Sequence, residues 1–126
     1  MCGIFAYIGG RKDAPEIVIE GLKKLEYRGY DSWGIAYKKG GEISTHKEVG
    51  KIGEFNSSEL KLENKSEDSS VAVGEAEQNL FVAISHTRWA THGGISKKNA
   101  HPHASSDEEI VIVHNGVLEN FDSIKK

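Results

Sequence analysis

The sequence predicts a mixed α/β (α+β) fold. Three observations point there. Short apolar runs of strand length stop at glycines or polar loops, one stretch carries apolar residues at helical spacing, and a Lys-Lys-Gly-Gly turn joins two β-type runs. The 126 residues suit one domain with a modest core.

Cys2 to Ile8 is an almost continuous apolar run closed by Gly9 and Gly10, and it reads as a strand buried on both faces. Asp13 and Glu16 then form a variant of the capping box, with Pro15 in the first turn, where its missing N–H costs nothing. Val18, Leu22 and Leu25 follow at helical spacing, so a helix is expected from Ala14 to Tyr27, ended by Gly29. Ile35 to Tyr37 and Ile43 to His46 read as strands flanking the turn Lys38-Lys39-Gly40-Gly41. Leu80 to Ser85 is another buried strand, and Arg88 to Asp107 is a long loop of the kind that often carries function. Ile110 to Val113 is a third apolar strand, ending at His114-Asn115-Gly116, and Asn120 or Asp122 can cap a following helix.

A polar insertion is expected over residues 55–79. From Asn56 to Asn79 it holds six acidic and two basic residues, hence −4 of charge, while the rest of the chain holds +1. This composition reads as an exposed, partly helical excursion. The formal net charge of −3 gives no electrostatic reason to expect nucleic acid or an anionic membrane as partner. No apolar run is long enough to cross a bilayer, and Met1 leads directly into Cys2 with no basic leader. One cysteine excludes a disulfide within the chain and fits a cytoplasmic setting.

Cys2 is the first candidate for chemistry. Removal of Met1 gives one residue both a thiol and a free amine, and an amine of pKa about 8 can serve as the base that activates the thiol. The plainer alternative is a small buried hydrophobe. Asn115 and Gly116 follow a strand, where a carboxamide and a backbone N–H can hold an oxyanion; an ordinary Asn-Gly turn is the alternative. The stretch His86 to Gly94 is dense in Arg, Trp, Thr, His and Gly. Arg88 can grip a carboxylate through paired hydrogen bonds, and Thr91 and His92 add polar groups; a stacked Trp–Arg surface pair is the alternative. Six histidines raise a metal-hydrolase reading, with His101 and His103 as a His-x-His pair. No carboxylate or cysteine stands at a ligand spacing from them, so no metal and no cofactor is expected.

Five blocks occur in order: Met1-Cys2-Gly3-Ile4, Leu25 to Ser32, His86 to Gly93, Asn99-Ala100-His101-Pro102-His103, and His114-Asn115-Gly116. Together they resemble the class II glutamine amidotransferases, which are N-terminal nucleophile hydrolases, and in detail the branch that makes an amino sugar phosphate. The resemblance implies a four-layer α/β/β/α sandwich, incomplete in these residues, and hydrolysis of L-glutamine to supply ammonia. In the full-length enzymes it implies a sugar-phosphate isomerase domain, conversion of fructose 6-phosphate to glucosamine 6-phosphate, and a homo-oligomer. It matches Cys2 to the nucleophile and Asn115 with Gly116 to the oxyanion hole. It matches Arg88, Thr91 and His92 to the glutamine-binding loop, Trp89 to a residue tied to loop closure and ammonia passage, and Arg28 to a supporting position. Trp33 departs from the family, which has a small residue there, and is expected to change packing beside the site. The family's acidic ligand for the glutamine amino group has no counterpart in these residues, so weak binding is expected from them alone. The competing expectations are an inactive folding or interaction module, and another class II amidotransferase.

Overall fold

A computed structural model of the chain describes residues 1–39, 41–60 and 80–125. Its main sheet has four antiparallel strands: β1 (Gly3–Gly9), β2 (Ser32–Lys39), β3 (Glu42–Val49) and β4 (Phe81–Arg88). Their order in the sheet is β1-β4-β2-β3, so β4 is hydrogen-bonded on both sides. The helix α1 (Ala14–Lys24) lies on one face of this sheet. A two-stranded sheet, β5 (His103–Ala104) and β6 (Val111–Ile112), and a short helix α2 (Phe121–Ile124) follow.

The core lies between α1 and the sheet. Val18, Ile19 and Leu22 are at most 1% exposed and pack in one cluster with Trp33, Ile35, Tyr37 and Ala83. Burying each such aliphatic side chain contributes about 1.5–3 kcal/mol. An eleven-residue helix is marginal in water, so this face supplies most of its stability. Gly21 makes the close approach possible, because a Cβ there would stand 2.5 Å from the Phe5 ring.

Several expectations change in detail. β1 is not buried on both faces: Phe5 and Tyr7 pack against the core, while Ile4 and Ile8 are 40% and 68% exposed on the other side. The α-helix stops at Leu25, and Glu26–Arg28 forms a separate 3₁₀ turn. Gly29 does not close the helix in a left-handed conformation, since its φ is −171°. Its lack of a side chain serves a close approach instead: a Cβ would lie 2.8 Å from the Arg88 carbonyl carbon. Asp13 makes no side-chain cap and pairs with Arg11, whereas a full capping box forms at Asn56 and Glu59 around the turn Ser57–Glu59. The segment expected as an exposed insertion therefore begins inside the fold, with Phe55 against the core and Leu60 4% exposed. Residues 61–79 of that segment lie outside the described residues.

The strands also run longer than their apolar runs. β2 and β3 continue to the pair Lys39↔Glu42, and β4 continues through His86, Thr87 and Arg88. The backbone ladder does not stop where side chains become polar, which apolar periodicity cannot show. The expected strand over Ile110–Val113 shrinks to two paired residues, and the expected long loop contains β5. Asn120 stands at the N-cap of α2 but caps it through its backbone carbonyl only.

Candidate active site

The sheet register assembles the site. Gly3 pairs with Thr87 and Ile4 with His86, so Cys2 falls beside Arg88 and Trp89 at the end of β4. The Thr87 hydroxyl accepts a hydrogen bond from the Gly3 N–H at 3.1 Å and so fixes the residue after Cys2. The Trp89 N–H points at Cys2 Sγ, 3.4 Å away. From the loop after β6, Asn115 Nδ2 donates to the Cys2 carbonyl at 3.2 Å. Its Oδ1 lies 2.8 Å from His86 Nε2. Gly116 follows at φ +140°, a conformation that disfavours any side chain.

Beside these groups lies a cavity of about 340 Å³ that Cys2, Arg88, Trp89, Thr91, His92 and Gly116 all line, while Asn115 itself is not part of its wall. A larger hollow of about 920 Å³ lies between the β2–β3 hairpin and Asp107–Glu109, but none of the expected site residues reaches it. The thiol and the convergent amides mark the smaller cavity as the site.

Arg88 has a second task here. Its guanidinium donates to the carbonyls of His92 at 2.7 Å and Gly94 at 3.1 Å, which ties the loop back onto β4. It does not stack on Trp89. That indole meets Tyr30 edge-on, with ring centroids 5.1 Å apart. Thr91 Oγ1 and His92 Nδ1 are 3.1 Å apart on the cavity rim. Arg28 is not part of the cavity wall and contacts Met1 Sδ at 3.7 Å. Trp33 is also remote from the cavity wall: it is buried on the helix side of β2 against Phe55, 4.6 Å between centroids. The expected disturbance of the site by Trp33 is thus displaced into the core.

Sequence reasoning missed three supports. Asp31 accepts from the Ala90 N–H and holds the turn after β4, within a block that the sequence did mark. Thr87 anchors Gly3, and its signal was the register, which apolar runs do not give. Ala100 and Pro102 are buried, and His101 half-buried, on the sheet face away from α1, where Gly34 leaves room for the His101 carbonyl.

The histidines pack ring against ring, one pair tilted and one edge-on. The rings of His86 and His101 are 4.5 Å apart, and those of His101 and His103 are 4.4 Å apart. Among the described residues no three His, Cys, Asp or Glu side chains are grouped to hold a metal ion. Burial, and then the neighbouring histidines with Lys47, pushes His101 down to about 4. Burial also holds His86 and His103 below the usual histidine range. Folded His101 stays neutral where the unfolded residue, with its ordinary value near 6.5, takes up a proton. Its contribution to stability is full above about pH 6.5 and is lost as pH falls towards about 4. Denaturant midpoints are expected to drop across that window, and to drop less in His101→Gln. Parallel curves for the two proteins would show that His101 titrates alike folded and unfolded.

A family model described as glutamine amidotransferases class-II matches residues 1–126. The chain belongs to the class II glutamine amidotransferases. It is 47% identical over 126 residues to glutamine–fructose-6-phosphate aminotransferase [isomerizing] of Shouchella clausii. It is 45% identical over 125 residues to the protein of that name from Clostridium acetobutylicum. These matches cover 100% and 99% of this chain, which spans only 18% of each relative's length. Among solved structures, the glutamine phosphoribosylpyrophosphate amidotransferase of B. subtilis, complexed with ADP and GMP, matches with a TM-score of 0.65 and 27% identity. That match covers 99% of this chain and 24% of the other. The class II amidotransferase fold expected from the resemblance is thereby shown, as a mixed α/β arrangement. The described residues supply α1, the four-stranded sheet and the two-stranded sheet of β5 and β6. Among the described residues no helix is long and apolar enough to cross a membrane.

Proposed function

We propose that this chain hydrolyses the side-chain amide of L-glutamine, with Cys2 as nucleophile. The convergence on Cys2 carries the reading: the Trp89 N–H at its sulfur and the Asn115 carboxamide at its carbonyl, beside a cavity that Arg88 lines. Met1 is 77% exposed, so its removal meets no packing barrier and leaves Cys2 with a free α-amine.

In this mechanism the amine takes the thiol proton as sulfur bonds to the amide carbon. Asn115 Nδ2 and the Gly116 N–H hold the oxyanion of the tetrahedral intermediate. The carbon–nitrogen bond then breaks, the amine returns the proton to the leaving nitrogen, and ammonia departs. Water adds to the thioester, releases glutamate and restores the thiol. Arg88 binds the glutamine carboxylate. Two of its five N–H groups hold the loop carbonyls, which leaves three among the described contacts. Thr91 and His92 border the substrate, Trp89 covers it, and Arg28 keeps a supporting position near the chain start, where its contact with Met1 Sδ ends once Met1 is removed.

The printed name of the relatives gives fructose 6-phosphate as the acceptor of the amino group. We infer the same acceptor here, on a sugar-phosphate isomerase domain outside these residues, with glucosamine 6-phosphate as product. A cytoplasmic homo-oligomer completes this reading.

The deciding experiment compares the intact protein with Met1 removed and with Met1 retained, each verified by mass. The processed form is expected to release glutamate from glutamine, and the retained form to release essentially none. Equal rates would remove the α-amine from the mechanism. No release from the processed form would overturn the reading.

A further inference from the structure

His86 sits on β4, paired across the sheet with Ile4 on one side and Gly34 on the other. It is 1% exposed. Its Nε2 stands 2.8 Å from Asn115 Oδ1. A carboxamide oxygen only accepts, so the histidine proton must sit on Nε2. The other nitrogen, Nδ1, is buried with no partner, and the His101 ring lies over the imidazole at 4.5 Å. The ring is therefore a neutral donor with a fixed tautomer, held in place by two strands and a tilted ring neighbour.

This arrangement decides which end of Asn115 faces the nucleophile. With Oδ1 bound to His86, Nδ2 is directed to the Cys2 carbonyl at 3.2 Å. The flipped carboxamide would set Nδ2 against the Nε2–H and Oδ1 against the Cys2 carbonyl. Donor would then meet donor and acceptor meet acceptor. The Asn115 side chain is otherwise exposed and free to rotate. An oxyanion donor works only when it is oriented before the charge develops.

We propose that His86 is a positioning residue for glutamine hydrolysis: its buried Nε2–H locks the Asn115 carboxamide with the amide nitrogen towards the reacting carbon. This inference rests on the amidotransferase reading above. Four variants of the intact protein test it: His86→Phe, His86→Gln, Asn115→Ala and the double variant His86→Phe/Asn115→Ala, with Cys2→Ala as control. His86→Phe keeps the ring and removes the donor. It is expected to lower kcat by roughly tenfold to a hundredfold, less than loss of the oxyanion donor itself, with KM for glutamine nearly unchanged. His86→Gln places an N–H at a similar reach and is expected to restore most of kcat. In the Asn115→Ala background, His86→Phe is expected to add no further loss, because the group it positions is gone. An unchanged kcat in His86→Phe, or losses that multiply in the double variant, would overturn the proposal. Turnover surviving in Cys2→Ala would instead overturn the amidotransferase reading itself. Nitrogen NMR of the unaltered protein tests the geometry even if His86→Phe fails to fold. A protonated Nε2 and bare Nδ1 on His86 are expected at neutral pH, and the opposite tautomer would refute the assignment.

Discussion

Cys2→Ala is expected to abolish glutamate release from glutamine while leaving the fold almost intact. The thiol is the only group at this position that can form the thioester, so its loss removes a chemical step rather than weakening one. The structural cost is small. Cys2 is half-buried at the start of β1, outside the cluster of Val18, Ile19, Leu22 and Ile35 that holds α1 to the sheet. Its sulfur gives up two contacts, with the N–H and the carbonyl of Trp89, and Trp89 is itself 44% exposed, so water can take their place. The Gly3–Thr87 hydrogen bond, which holds the strand in register, involves no atom of the thiol. Glutamate release and thermal melting measured on the same sample check both halves of this expectation. A variant that melts normally and still turns over at the original rate would move the nucleophile elsewhere.

Asn115→Ala is expected to slow turnover by roughly 10²–10³-fold with little change in KM, the signature of one lost oxyanion donor. The carboxamide meets Cys2 and His86, whereas the loop groups assigned to the glutamine carboxylate stand on β4 and beyond it. A second effect follows from the same bond. Removing the carboxamide leaves the buried His86 Nε2 without its acceptor, at a cost of up to about 1–3 kcal/mol unless water replaces it. Stability is therefore expected to fall along with kcat, unlike the case of Cys2→Ala. Steady-state kinetics and a denaturant titration distinguish the outcomes. Normal kcat with a much raised KM would reassign Asn115 to substrate binding.

Much of the architecture is legible in the residues because burial leaves a periodic trace. Val18 and Leu22 mark the helix, Ile35 and Tyr37 mark the centre of β2, and the glycine pair marks the hairpin. The trace fails where polar residues occupy a ladder. Ser32, Thr87 and Arg88 are buried in strands, although nothing in their polarity says so. It fails again where one apolar residue lies in polar surroundings, as Leu60 does. For the site, residue types and order pointed to Cys2, Arg88 and Asn115, but they could not say what holds each in place. The support of Asn115 by His86 joins positions 29 apart in the chain, and that of Gly3 by Thr87 joins positions 84 apart. Such pairings come from register, which a single sequence does not display. The Asp13 capping box illustrates the reverse error, a local pattern overruled by a nearer partner, Arg11.

The place of β4 in the middle of the sheet bears on how the molecule comes to be. β2 and β3 are neighbours in sequence and can zip together quickly around their turn. β4 must then slot between β2 and the distant β1, and closing such long loops is slow. Until it does, Cys2 has neither Trp89 nor Arg88 beside it, and His86 cannot reach Asn115. The groups around Cys2 thus come together only after β4 has paired with both of its neighbours and the later loop has brought Asn115 to it.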